Sequence, residues 1–318
     1  MAVPGKTPPL GAVIVIERRS YFHGNLHLAG YAYAHQSPIR EIAVRLGDGR
    51  EIVLANSGLP SPELAGAFGA VAVAARFDEI LPVGPDIVAV LQGTLIATVT
   101  DGTAVARELS GQDASDITAD LIARFKAMIA SRPPGRMLEI GSRERTGRNY
   151  RELLPNGWDY LGLDIMEGPN VDLVGDAHEA GGFLPSNHFD AVMSFSVFEH
   201  LLMPWKAILE LNKVMKPGAI GLILAPQTWP LHEEPWDYFR FSRHAWKGLL
   251  NSGTGFEIID AADGGTAFIV PASLTAATAF GEWHKGAMMS AVLFRKVSET
   301  LLQWPVRMSD VVDDHYPA

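Results

Sequence analysis

The sequence predicts a small all-β sandwich followed by an α/β domain with a doubly wound, mostly parallel sheet. Three observations predict it. Short Val/Ile/Leu/Ala runs alternate with Gly, Pro and Asp turn signals before residue 112. A polar stretch, Ser110-Gly-Gln-Asp-Ala-Ser115, then breaks the pattern, and from Asp116 strand and helix signals alternate. The division follows as 1–111 for the sandwich and 112–318 for the α/β domain, with an insertion at about 263–289.

In the first part, strands are expected at 12–17, 23–34, 39–46, 51–55, 70–75, 87–91 and 94–100. Gly47-Asp48-Gly49 and Gln92-Gly93 supply hairpin turn chemistry. The single helix expected there is 62–68. In the second part Asp116 caps an amphipathic helix whose apolar face is Ile117, Leu121, Ile122, Phe125, Met128 and Ile129, stopped by Pro133-Pro134-Gly135. Strands are then expected at 137–140, 160–164, 190–195, 219–224, 256–261 and 291–297. Helices are expected at 147–154, 204–214 and 243–251. Alternation of this kind gives parallel strands joined by right-handed crossovers.

Composition narrows the function. Of 318 residues, 47% are hydrophobic and 19% charged, and Lys plus Arg (26) against Asp plus Glu (36) leave a formal net charge of −10. Broad nucleic-acid binding needs clustered basic residues and is not expected. With no cysteine, disulfides, thiolate metal sites and cysteine nucleophiles are excluded. The start, MAVPGKTPPL, has no basic residue followed by an apolar run, and apolar stretches elsewhere are strand-sized. No signal peptide or membrane insertion is expected, and the expected location is cytoplasmic.

The chemistry-bearing residues cluster at strand ends. Met137-Leu-Glu139-Ile-Gly141-Ser142, with Thr146-Gly147 after it, is a strand ending in an acid, a glycine turn and a helix start. Backbone can approach a ligand closely there. Asp164 ends the next strand, 23 residues beyond Gly141 (164 − 141), a separation suited to a carboxylate that accepts from ribose hydroxyls. Gly175-Asp176-Ala177-His178 follows, then Phe189-Asp-Ala-Val-Met-Ser194-Phe195-Ser-Val-Phe-Glu199-His200, then Met215-Lys-Pro-Gly218.

Taken in order, these motifs resemble the class I S-adenosylmethionine-dependent methyltransferases over roughly residues 117–261. The resemblance implies a Rossmann-like domain with S-adenosyl-L-methionine as cofactor. Glu139, Gly141 and Ser142 would lie beside its methionine portion and Asp164 on the ribose, with Ile165 against adenine. Asp176 and Ala177 would pair with the adenine edge, and Ser194 and Phe195 would face the sulfur. The family's second glycine falls at Arg143, and Arg143-Glu-Arg145 makes this loop charged. The same residue breaks the dinucleotide pattern G-x-G-x-x-G.

The acceptor pocket is expected along Trp229-Pro-Leu-His232-Glu-Glu-Pro-Trp236-Asp237-Tyr-Phe-Arg240, after the fifth strand, where open α/β sheets bind ligands. Aromatic faces with polar edges suit a sugar or another flat hydroxylated acceptor. Trp229, Trp236, Asp237 and Arg240 are the substrate-binding candidates, although Arg240 reads equally as the partner of Asp237. His200 and His232 are the candidate bases for a hydroxyl acceptor. His232, Glu233, Glu234 and Asp237 have ligand types that suit magnesium or manganese, but their spacing matches no motif and no metal is expected.

The insertion, with Gly264-Gly265 and Trp283-His284, is expected to lie over the pocket as a lid. No role is assigned to the tail with Trp304, Arg307 and Tyr316. Residues 27–49 loosely resemble β-sandwich modules of bacterial surface-polysaccharide enzymes. That implies a carbohydrate acceptor and a module that binds glycan, a pathway enzyme or a second protomer, as in a homo-oligomer; a folded spacer fits equally. The expected function is O-methylation of a sugar or glycan hydroxyl. Small-molecule or amine methylation, and a binding scaffold without turnover, are the alternatives.

Overall fold

The computed structural model describes residues 12–110, 117–145, 147, 149–268 and 285–312. The expected cap Asp116, most of the linker, Thr146, Trp283-His284 and Tyr316 lie outside them. The chain divides into two compact units, Met1–Asp113 and Ala114–Ala318.

The first unit holds two four-stranded antiparallel sheets. One comprises β1 (Ala12–Phe22), β2 (Asn25–Ala34), β5 (Ser57–Leu59) and β6 (Arg76–Pro82), in the order β1-β2-β6-β5. The other comprises β3 (Ile39–Arg45), β4 (Glu51–Val53), β7 (Thr94–Val99) and β8 (Ala104–Glu108), in the order β4-β3-β7-β8. Ile14, Leu26, Leu28 and Phe77 of the first sheet and Ile42, Val44, Leu95 and Ala97 of the second are buried in one cluster. α1 spans Pro62–Phe68.

Two expected strands are absent. Residues 87–91 form a helix, α2 (Ile87–Leu91), because the Asp86 side chain accepts from the amides of Val88 and Ala89. That cap outweighs the β preference of Ile and Val. The alanine-rich stretch expected at 70–75 is a 3-10 turn at Ala70–Ala72, and the strand begins at Arg76 instead.

The second unit starts with α3 (Ile117–Ala130). Then follow β9 (Arg136–Ile140), β10 (Asp159–Asp164), β11 (Leu173–Val174), α4 (Ala180–Phe183), β12 (Phe189–Phe195) and α5 (Pro204–Val214). β13 (Met215–Pro226), α6 (Trp246–Leu249), β14 (Phe256–Phe268) and β15 (Lys285–Lys296) complete it. The sheet order is β11-β10-β9-β12-β13-β15-β14, with β15 antiparallel to both its neighbours. Strand alternation sends Met137, Ala191, Met193 and Leu222 against Leu121, Phe125 and Ile129 of α3. Leu138, Val192 and Ile223 face Ala207, Ile208 and Leu211 of α5 on the other side. The strand order reverses between β9 and β12, and open α/β sheets bind ligands at such a point.

Three expectations for this unit change. The helix expected at 147–154 is a 3-10 turn, Tyr150–Leu153, capped by Asn149. The one expected at 243–251 contracts to α6. The ends of the expected lid are ladder: Gly264 pairs with Met289 and Thr266 with Ala287, so β14 and β15 run well into the proposed insertion. Among the described residues no helix is long and apolar enough to cross a membrane.

β15 ends on a fully buried lysine. Lys296 Nζ donates to the Asn212 carbonyl (2.6 Å), the Met215 carbonyl (2.9 Å), Asn187 Oδ1 (2.9 Å) and Glu299 Oε1 (2.9 Å). Lys296→Met leaves those acceptors without their cation and is expected to cost about 3 kcal/mol, read as a lower midpoint in chemical denaturation.

Candidate active site

The turn after β9 sets the floor of the site. Gly141 has φ 75°, and a Cβ built on it would lie 2.0 Å from Val197 Cγ2. Conformation and space both require glycine. Arg143, by contrast, is not among the positive-φ residues, so its backbone needs no glycine. Its stem lies over Gly168, where a Cβ would meet Arg143 Cγ at 2.7 Å. The charged loop is therefore accommodated by a second glycine on the next connection.

Around this turn opens a cavity of about 1020 Å³. Its wall carries Glu139, Gly141, Ser142, Asp164, Ile165, Asp176, Ala177 and Phe195 from the strand ends, and Trp229, His232 and Trp236 from the loop after β13, with His200 between. Three expected site residues are elsewhere. Ser194 is fully buried and donates to the Ile140 carbonyl (3.1 Å), pinning β12 to β9. Asp237 and Arg240 are absent from the wall and form a bidentate pair at 2.6 and 2.7 Å. That pair braces the loop: Asp237 accepts from the His232 amide (2.9 Å), and Arg240 donates to the carbonyls of Trp229 and Pro230. The guanidinium holds the Asp237 carboxyl down to about 2.

Asp164 is nearly buried and accepts from the amides of Arg143 and Met166, each at 3.0 Å. A carboxylate has about four acceptor sites, so capacity remains for two hydroxyls. Ser142 Oγ is buried and has no hydrogen-bond partner among the described residues. Asp176 caps the 3-10 turn Ala177–Glu179, accepting from the His178 amide (2.8 Å) and lying 2.6 Å from His178 Nδ1. His178 Nε2 in turn accepts from the Met203 amide (3.2 Å), which fixes its Nδ1–H tautomer. Phe195 stacks on Tyr150 at 4.1 Å between centroids. A carboxylate at the wall, an orphaned buried hydroxyl and a glycine turn without side chain fit a nucleoside-bearing amino acid.

Glu139 is buried and pairs with the Tyr160 hydroxyl. Burial raises its carboxyl to about 7, against the opposing effect of the Tyr160 hydrogen bond. Opposite, His200 Nδ1 lies 2.7 Å from the Trp236 carbonyl, and burial lowers the basicity of the ring. The His200 and His232 rings meet edge to face, 4.8 Å between centroids. Arg145 of the turn after β9 pairs with Glu233 of the loop after β13 at 2.6 Å, both on the cavity wall.

Sequence reasoning gave no role to His178 or Tyr160, and placed Glu199 only as lying, with His200, just beyond the residues that face the sulfur. His178 stood inside the Gly-Asp-Ala-His motif, so its neighbour Asp176 was the available signal. Glu199 is fully buried beside His200, and neither carboxylate oxygen has a hydrogen-bond partner among the described residues. Burial raises its carboxyl to about 8.

A methyltransferase-domain family model matches residues 112–261. That stretch is a methyltransferase domain. Among solved structures the chain is similar to a SAM-dependent methyltransferase from Archaeoglobus fulgidus, at 20% identity over 56% of this chain and 94% of that one, TM-score 0.41. It is also similar to one from Aquifex aeolicus, at 16% identity over 58% and 95%, TM-score 0.39. Neither likeness bears on what the chain acts on. No match was found among curated proteins.

The folded state holds the Glu139 proton to higher pH than the unfolded chain does, so the associated stability is full at low pH. It is lost as pH rises from the ordinary glutamate range through about 7. Glu139→Gln is therefore expected to flatten the fall in unfolding free energy between about pH 5 and about pH 8 by up to one proton. Denaturant titrations of both proteins without cofactor across that range check it.

Proposed function

We propose that this chain is an O-methyltransferase acting on a hydroxylated acceptor of the sugar or glycan class. One observation carries the reading: a single cavity joins the cofactor wall at Gly141, Asp164 and Asp176 to an acceptor wall bearing Trp229, His232, Trp236 and His200. S-adenosylmethionine, when bound, supplies the methyl group: its carbon–sulfur bond breaks as the acceptor oxygen–carbon bond forms, leaving S-adenosylhomocysteine. The chain's residues align the acceptor and remove its proton, and alignment alone supplies several kcal/mol of barrier reduction.

Asp164 holds the ribose hydroxyls, and the Gly141 turn lets the methionine portion approach the backbone. Trp229 and Trp236 offer aromatic faces to the apolar side of a sugar ring. The hydroxyl proton leaves toward the His200–His232 pair. Burial lowers the basicity of His200, which keeps its imidazole neutral near pH 7 and so able to accept. The first unit is a candidate glycan-binding or partner-binding module in this reading.

Calorimetric titration with S-adenosylmethionine and S-adenosylhomocysteine is the first test, with one ligand bound per chain expected. Asp164→Ala removes two charge-assisted hydrogen bonds and is expected to weaken binding by about 10- to 100-fold. Unchanged affinity would place the ribose elsewhere. Incubation with glycan acceptors, followed by mass analysis for an added methyl, tests the acceptor class.

A further inference from the structure

The geometry points to a divalent transition-metal site formed by Glu199, His200 and His232 at the acceptor end of the cavity. One ligand atom from each of the three residues lies within 4.8 Å of the others, and all three residues line the cavity. His200 Nε2 is 3.9 Å from Glu199 Oε1. Tetrahedral or octahedral coordination at about 2.0–2.2 Å brings ligand atoms closer than this, so small side-chain rotations complete the set.

Independent features support a ligand here. Glu199 is fully buried with both oxygens lacking a protein donor among the described residues, which is costly unless something in the cavity meets them. Each histidine is held from behind in the manner of a metal ligand. His200 Nδ1 lies 2.7 Å from the Trp236 carbonyl, so it carries the proton and Nε2 carries the lone pair. His232 Nδ1 lies 3.2 Å from both the Pro230 carbonyl and Asp237 Oδ2, and Asp237 is itself fixed by Arg240. A carboxylate–histidine arrangement of this kind orients a ligating ring. The two contributing segments are tied together, since the Glu199 carbonyl accepts from the amides of Tyr238 (2.8 Å) and Phe239 (3.1 Å).

Two imidazoles and one carboxylate suit zinc, iron or manganese better than calcium, which favours oxygen ligands alone. Three protein ligands leave coordination positions open toward the cavity for a hydroxyl of the acceptor. With a cation bound, His200 and His232 serve as ligands in place of the proton-accepting role they have in the metal-free site: the cation would stabilise the alkoxide and the proton would pass to water. That role rests on the proposed methyl transfer, but the existence of the site does not.

The test is calorimetric titration of tag-free, chelator-stripped full-length protein with zinc and with manganese chloride, alongside titration with S-adenosylhomocysteine. One metal per chain is expected for the wild type and for His188→Ala, which removes a histidine outside the cluster. His232→Ala and Glu199→Gln are each expected to lose metal affinity at least about 100-fold. His232→Ala is expected to bind S-adenosylhomocysteine within about threefold of wild type, which shows that it is folded. Absence of metal binding in the wild type, or wild-type metal affinity in His232→Ala, overturns the site. Metal binding without S-adenosylhomocysteine binding would sink the methyl-transfer reading and leave the site standing.

Discussion

The closest constraint in the catalytic unit is the contact between two turns. Gly141, leaving β9, passes so near Val197, beyond β12, that a single added carbon would overlap it. This approach is where the sheet order reverses, so the turns diverge to opposite faces and open the cleft between them. Ser194, bonded to the Ile140 carbonyl, keeps the two strands in the register that the contact requires. The proposed cofactor wall then follows along the strand ends. Asp164 is positioned by amides of the turns on either side of it, and Asp176 by the short helical turn it caps.

The proposed acceptor wall is built differently. It is a loop with no regular structure, held by a half-buried ion pair rather than by a ladder. Asp237 and Arg240 contact no part of the cavity, yet they set the path of the backbone that carries Trp229 and His232. Arg145 and Glu233 join this loop to the turn after β9, so the two walls share a polar contact as well as a cavity.

The parts of this arrangement legible in the sequence are those settled by neighbouring residues. The strands β9 and β10 announce themselves because their apolar runs end in Gly141 or Asp164 at a βα turn, and β12 and α5 because of their apolar patterning. Ser194 misled, because strand alternation turns it away from the cavity while Phe195 faces in. Asp237 and Arg240 read equally as ligand groups or as each other's partners, because an i,i+3 pair off a helix carries no periodic signature, and the structure makes them partners. The meeting of Glu199 and His200 with His232 is invisible in sequence, since a helix, a strand and a loop separate them. In the first unit a single capping side chain, Asp86, turned an apparent strand into a helix.

The placement of β15 has a consequence for how this chain can be divided. The matched family region ends at residue 261, midway along β14, whereas the sheet needs β15 inserted between β13 and β14. A fragment cut at that boundary would keep β13 but strip its antiparallel neighbour, leaving the bonding edge of an apolar strand bare. Bare edges of that kind recruit other chains. Any unit to be moved, fused or expressed alone must therefore run past Lys296 and the Glu299 that pairs with it, and it is longer than the unit that similarity defines.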